Sequence, residues 1–219
     1  MKRFFRHHAT LWMLIGFCLL LGLFLSLRTG IFFTGRNLIN ILEANSFKLL
    51  LAIGMTFVIA SGGIDLSVGS ILSLSAIFTA LCMKQNIPVW LAILVGLLSG
   101  ILMGLINGAL IHFTGINAFI ITLGTSFLYR GLALIVTRGT PVSKLPAAYR
   151  AFGGRDIFQV ESGVYMALLV LLLSIPLLYK MRWGHYITTL GGNPVALRRC
   201  GVRTGAWRIS TFAVMGFLA

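Results

Sequence analysis

Ser61-Gly62-Gly63-Ile64-Asp65-Leu66-Ser67-Val68-Gly69-Ser70 interrupts an apolar run from Phe47 to Met83 and carries one of only four acidic residues in a chain of 219. As a single helix, those 37 residues would measure about 55 Å, nearly twice the roughly 30 Å of a bilayer's hydrocarbon core. The chain therefore has to turn back. Ser61-Gly62-Gly63 is the place, because adjacent glycines relieve the steric limits on the backbone and weaken helix continuity. The next helix is expected to begin near Ile64, with Asp65 at its start. Two readings of Asp65 stand: an N-cap at the positive end of the helix dipole, or an ionisable group at membrane depth lining an aqueous path. Ser67, Ser70 and Ser73 recur at spacing three. That small, hydroxylated side suits either a polar solute or close helix contact.

Composition fixes the solvent. Hydrophobic residues make up 58% of the chain, only 10% are charged, and the mean hydropathy is +0.97, against about 25% charged residues in an ordinary soluble domain. The chain reads as an all-α, polytopic transmembrane helical bundle. Each crossing needs about 20 mostly apolar residues, and seven segments qualify as candidates: Leu11 to Leu27, Phe47 to Ala60, Ile64 to Met83, Pro88 to Phe113, Asn117 to Thr137, Val164 to Tyr179, and Arg208 onward. This makes about six complete spans and an incomplete seventh, so the sequence is expected to be the N-terminal part of a longer domain or a truncated reading frame. The first segment follows Lys2, Arg3 and Arg6 but is too long for a signal h-region, and no Ala-x-Ala-like site follows Leu27. It reads as a retained span.

The net charge of +14 does not imply nucleic acid, because the Lys and Arg residues occupy short connections between apolar segments rather than one phosphate-tracking face. Lipid head groups and solvated loops account for them. Cytoplasmic loops carry the excess of basic residues, which puts Lys2, Arg3 and Arg6 inside and, by counting spans, Lys180, Arg182, Arg198, Arg199, Arg203 and Arg208 as well. The external loop from Arg138 to Gly163 opposes this with Arg138, Lys144, Arg150 and Arg155 against Asp156 and Glu161.

The fourth segment carries Gly96, Gly100, Gly104 and Gly108 at spacing four, a groove of bare backbone into which another helix should press. Asn107 beside it suits an interhelical hydrogen bond. Arg130, in the outer half of the fifth segment, either snorkels to head groups or faces a translocation path. No catalytic or metal constellation emerges: the histidines are scattered at His7, His8, His112 and His185, the three cysteines (Cys18, Cys82, Cys200) have no pair spacing, and no Walker A loop is present. The chain reads as a non-enzyme with no cofactor of its own; any ATP would be bound by another subunit.

Between the sixth and seventh segments, Asn193 suits an N-cap, Pro194 the first helical position, and Gly201 the residue after the helix ends. A helix this short needs a partner surface or its own anchored ends. Arg198 and Arg199 would project from it, toward acidic groups of a partner or lipid phosphates.

With these residues in place, the sequence resembles the permease subunits of bacterial ATP-binding-cassette importers for ribose, related monosaccharides and autoinducer-2. The matching stretches are Gly54-Met-Thr56 leading into Ser61 to Ser70, Ala118-Phe-Ile-Ile-Thr-Leu-Gly124, Tyr129-Arg-Gly131, Leu190-Gly-Gly-Asn-Pro194 and Arg199-Cys-Gly-Val202. They span from about Phe32 to Arg208. The resemblance implies a permease domain over 1–219 that performs no covalent chemistry, with 181–207 as a cytoplasmic coupling loop whose helix, Asn193 to Gly201, docks on an ATPase subunit. It implies Asp65, Ser67 and Ser70 beside the translocation pathway, and the loop from Arg138 to Gly163 as the surface met by a periplasmic solute-binding protein. A second permease subunit, alike or different, and a bacterial inner-membrane location with a cytoplasmic N-terminus complete the expectation. Family members continue with further spans, so half the pathway lining would lie outside this sequence. An ion-coupled secondary transporter using Asp65, or a non-functional truncated fragment, is the alternative.

Overall fold

A computed structural model describes residues 9–143, 145–147, 149, 156–157 and 160–219. Lys2, Arg3, Arg6, His7, His8, Lys144, Arg150 and Arg155 lie outside the described residues. The described elements are α1 (Ala9–Thr29), α2 (Gly35–Ala60), α3 (Val68–Lys84), α4 (Val89–Thr114), α5 (Ala118–Thr137), the two-residue strands β1 (Asp156–Ile157) and β2 (Val160–Glu161), α6 (Ser162–Tyr179), α7 (Arg182–Gly192), α8 (Pro194–Arg199) and α9 (Thr204–Leu218). Helix dominates as composition requires, and the strands pair antiparallel only with each other. The fold is an all-α, polytopic membrane bundle.

Among the described residues, five helices have the length and apolarity of a crossing: α2, α4, α5, α6 and, within α1, Trp12–Thr29. A sixth apolar helix, α3, is shorter, at 17 residues. Its shortness has a local cause: residues 61–67 fold into a turn instead of joining the helix. The second span, in turn, begins earlier than its apolar run. Helix α2 starts at Gly35 rather than Phe47 and reaches 26 residues, so polar residues such as Asn37 and Asn45 lie inside it.

The chain divides into two compact units, 1–45 and 46–219. In the first, only 6% of the Trp12–Thr29 window is buried, and Leu14, Phe17, Leu20 and Leu27 are all exposed. An isolated helix with apolar side chains all round is stable only where its surroundings are apolar too, which is the signature of lipid contact. After Gly30 the backbone bends, and Phe32 packs edge-on to Phe33 at 5.1 Å between ring centroids.

The second unit is organised around α4. A step of four residues advances about 40° around a helix of 3.6 residues per turn, so Gly96 to Gly108 drift by about 120°. The glycines accordingly serve two neighbours. Gly96 lies against Thr79 and Ser75 of α3, whereas Gly100, Gly104 and Gly108 lie against Gly216, Phe212 and Ile209 of α9. A Cβ at Gly104 would fall on the Phe212 carbonyl oxygen, and one at Gly108 would come within 2.7 Å of Ile209 Cα. Backbone-to-backbone approach of this kind supplies the dispersion contact that drives helix association where lipid removes the hydrophobic incentive. Around this contact sit Val58, Ile111, Ala118, Phe212 and Met215 in one cluster, and Ile71, Leu74, Met103, Tyr129 and Ala133 in a second. A third, Ile53, Phe57 and Ile187, seats α7 on α2, where Phe57 meets Trp183 edge-on at 5.1 Å.

Replacing Gly104 by Ala is therefore expected to destabilise the protein by about 1–3 kcal/mol through overpacking. Gly124→Ala, where nothing lies within 4 Å of the new methyl, should leave stability equal or slightly raised because alanine is the better helix former. Thermal unfolding of the two variants in detergent, followed by size-exclusion chromatography, checks the contrast.

Candidate functional site

Helix α2 ends at a glycine in the left-handed region. Gly62 has φ +80°, its N–H donates to Ile59 O at 2.9 Å, and Gly63 N–H donates to Val58 O at 3.0 Å. This crossed pair of bonds is a Schellman motif, and it reverses the chain without leaving the last carbonyls bare. The Ser61 hydroxyl donates to Val58 O at 2.8 Å as well.

Beyond Gly63 the turn has no helix to satisfy it, so side chains do. Asp65 Oδ1 accepts from the Ser67 amide at 2.8 Å and from the Ser67 hydroxyl at 2.6 Å. The N-cap of α3 is thus Ser67, with Asp65 two residues before it bracing the turn; the sequence reading that started the helix near Ile64 is off by one turn. Thr122 of α5 secures the other side, accepting from Leu66 N–H at 3.1 Å and lying 3.2 Å from Ile64 O.

The turn then joins a polar seam across three helices. Asn107 of α4 donates through Nδ2 to Ser67 Oγ at 2.7 Å. Tyr129 of α5 donates from its hydroxyl to Asn107 Oδ1 at 3.1 Å, with Met103 O at the same distance. Asp65, Ser67, Asn107 and Thr122 are each 0% exposed and Tyr129 is 3% exposed. At that depth an unmade hydrogen bond costs about 1–3 kcal/mol, so the direction of each bond is fixed by its neighbours. One atom escapes the scheme: Asp65 Oδ2 is buried and accepts no hydrogen bond among the described residues.

The other singled-out residues divide. Ser70 is half-buried, donating to Ser67 O at 2.7 Å with the Ser126 hydroxyl at 3.5 Å. Arg130 is exposed, about 100° around α5 from buried Tyr129. Tyr129 itself was missed as a site residue, although Ala118, Thr122, Thr125, Tyr129 and Ala133 recur at helical spacing and form the buried face of α5. Beside the turn lies a polar cavity of about 180 Å³ lined by Ser61, Gly62, Asn117 and Arg208 among others. A second cavity, of about 500 Å³, lies toward the far end of α3 against Ser73, Thr137, Thr140 and Tyr149. Among the described residues, no three His, Cys, Asp or Glu side chains gather as a metal site.

The segment 181–207 contains two complete helices rather than one, and the first turn of α9. Helix α7 buries Gly184, Ile187 and Leu190, spaced by three, and was not anticipated, because its apolar residues are too few to stand out between spans. In α8, Asn193 Oδ1 accepts from Ala196 N–H at 2.9 Å and Pro194 occupies the first turn. Gly201, at φ +76°, closes it with a second Schellman pair, Gly201 N–H to Arg198 O at 3.0 Å and Val202 N–H to Leu197 O at 3.3 Å. Leu197 is buried and anchors the helix, while Val195, Arg198 and Arg199 are exposed.

If Asn107 links Ser67 to Tyr129, Asn107→Ala should cost about 1–3 kcal/mol and Tyr129→Phe about 1 kcal/mol. The double variant should fall short of their sum by at least about 0.5 kcal/mol. Denaturant unfolding in detergent gives the three values; strict additivity would contradict the shared bond.

A family described as "Branched-chain amino acid transport system / permease component" matches residues 37–219. The ribose import permease protein RbsC of Haemophilus influenzae is 34% identical over 192 residues, 86% of this chain and 59% of its own length. The D-allose transport system permease protein AlsC of Escherichia coli is 33% identical, covering 92% of this chain and 62% of its own, and the autoinducer 2 import system permease protein LsrC of Yersinia pestis is 33% identical, covering 86% and 54%. The chain thus spans roughly 60% of the length of these relatives. No solved structure matches it. The match runs from early in α2 through the whole of α9, and takes in the buried turn, the glycine-faced helix and the capped α8 together: the chain belongs to this family of transport-system permease components.

Proposed function

We propose that this chain is a membrane-spanning permease subunit of an ATP-driven importer, carrying a monosaccharide or similar small polar solute across a bacterial inner membrane. The observation that carries the reading is the family match from residue 37 to 219, with relatives named for import of ribose, allose and autoinducer 2. The chain performs no covalent chemistry and holds no cofactor. ATP is bound by cytoplasmic ATPase subunits, a periplasmic solute-binding protein delivers the solute, and a second permease subunit completes the route.

Helix α8 is the docking element. It is held at both ends by its caps and below by Leu197, so it is presented as a rigid unit. The stretch from Lys180 to Arg208 holds six Lys or Arg residues and no acid, a charge balance that suits an acidic groove on the ATPase. With α8 inside and six crossings before it, α1 to α6 with the short α3 included, the N-terminus is cytoplasmic. Asp65 and Ser67, both buried, brace the wall beside the pathway. Ser73, which lines the cavity of about 500 Å³ toward the far end of α3, offers its hydroxyl to the solute there, and Ser70 lies one turn before it beside that route. Arg130, exposed on α5, serves head groups or faces the translocation path. ATP and the loaded binding protein drive the cycle by preferring different packings of the helices.

The test uses the whole transporter in its membrane. Arg198→Glu with Arg199→Glu should lower co-purified ATPase at least tenfold and abolish ATP-dependent uptake. Unchanged co-purification and uptake would contradict the reading, and uptake that persists after ATP depletion with the proton gradient maintained would favour ion coupling instead.

A further inference from the structure

The turn that carries Asp65 touches two elements outside the α3–α4–α5 seam: Gly63 lies against the Phe212 side chain of α9, and Gly62 meets α7 through backbone alone. A Cβ at Gly62 would meet Gly191 Cα at 3.1 Å; a Cβ at Gly191 would fall on the Ala60 carbonyl oxygen and within 2.8 Å of Gly62 N. Gly191 is thus seated on the last carbonyl of α2 and the first amides of the turn. The adjacent Gly192 has nothing within 4 Å of its Cβ position. Two neighbouring glycines therefore differ completely in what surrounds them.

Each side of this seat leads directly to a functional element. Toward the C-terminus, Asn193, two residues on, donates its N–H to Thr189 O at 2.8 Å and caps α8 with its side chain. Helix α7 is joined to α8 by Asn193 alone, bonded to both. Toward the N-terminus, Gly62 is three residues from Asp65, and Leu66 and Ser67 are bonded onto α5 and α4 through Thr122 and Asn107. A contact between two backbones cannot be absorbed by a rotamer change, as one between long side chains can. Displacement of Gly191 has to move the turn or break the seat. The turn also has a reason to possess a second arrangement: buried Asp65 Oδ2 lacks a described partner, and any movement that lets it reach a donor recovers part of its desolvation cost.

Resting on the proposal that α8 docks on an ATPase, we propose that Gly191 is a positioning residue of the transport cycle, its backbone seat on the Gly62 turn being the link through which displacement of α8 reaches the Asp65 seam. The competing route runs from α8 through α9, to α4 at the glycine stripe or to Gly63 through the Phe212 side chain, and it does not use this seat.

Gly191→Ala and Gly192→Ala in the full transporter separate the two. Both exchange glycine for alanine near the end of the same helix, so propensity changes alike, but only the first places a methyl into backbone. The expected result for Gly191→Ala is ATPase co-purification within twofold of the parent and a fall of at least tenfold in solute taken up per ATP hydrolysed; Gly192→Ala should match the parent in both. Uptake by Gly191→Ala equal to the parent, or an equal loss in Gly192→Ala, would overturn the link. A second measurement leaves the seat intact, in case Gly191→Ala does not fold. A spin label at Gly69→Cys, an exposed position in the first turn of α3 with open space around it, is read with the native cysteines replaced. Its spectrum should change between nucleotide-free and ATP-bound states, and an unchanged spectrum would overturn the proposal. If no ATPase accompanies even the parent protein, the transport reading fails and the link with it; failure of the link alone leaves co-purification intact.

Discussion

Every polar group buried in this protein has to find its partner within the protein, and nowhere is that constraint tighter than in the seven residues between α2 and α3. A helix satisfies its own backbone; a turn does not. Here the Schellman pair at Gly62 and Gly63 closes the end of α2, Asp65 and Ser67 close the start of α3, and Thr122 takes the amide of Leu66. The carboxylate therefore replaces the backbone partner that water would otherwise supply, which answers why one of four acids sits in the middle of an apolar run.

That solution depends on close helix packing. Asn107 reaches Ser67 because α3 and α4 approach closely, with Gly96 of α4 lying directly on Thr79 and Ser75. The drift of the glycine stripe then hands the same helix to α9 at Gly100, Gly104 and Gly108. Helix α4 is consequently the common partner of the polar seam and the apolar core, with Met103, Asn107 and Ile111 buried on successive turns. A change at one glycine is felt at both.

Much of this was legible in the sequence, and the failures are instructive. The break at Ser61-Gly62-Gly63 followed from length alone, since no bilayer accommodates 37 residues as one helix. The helix-packing groove followed from four glycines at spacing four, and the caps of α8 from Asn193, Pro194 and Gly201. What could not be read was the register of the cap: Asp65 and Ser67 both suit an N-cap, and the choice between them rests on Asn107 arriving from 40 positions away. The start of α2 at Gly35 was missed because Asn37, Glu43 and Asn45 break the apolar pattern without breaking the helix. Tyr129 was read as the neighbour of Arg130 and as part of the matching stretch Tyr129-Arg-Gly131, not as a site residue. Periodicity over α5 points to Tyr129, but a charged residue in a membrane segment draws attention to itself, and Arg130 turned out to lie on the exposed side.

The central claim is that the turn from Ser61 to Ser67 is a bonded part of the protein interior rather than a loop. Hydrogen–deuterium exchange of the full protein in lipid nanodiscs tests it most directly, by comparing the amides of Leu66 and Ser67 with those of the exposed bend from Gly30 to Thr34. The account predicts exchange of Leu66 and Ser67 at least 100-fold slower than the bend, about 2.7 kcal/mol of added protection. Exchange as fast as in the bend would contradict it.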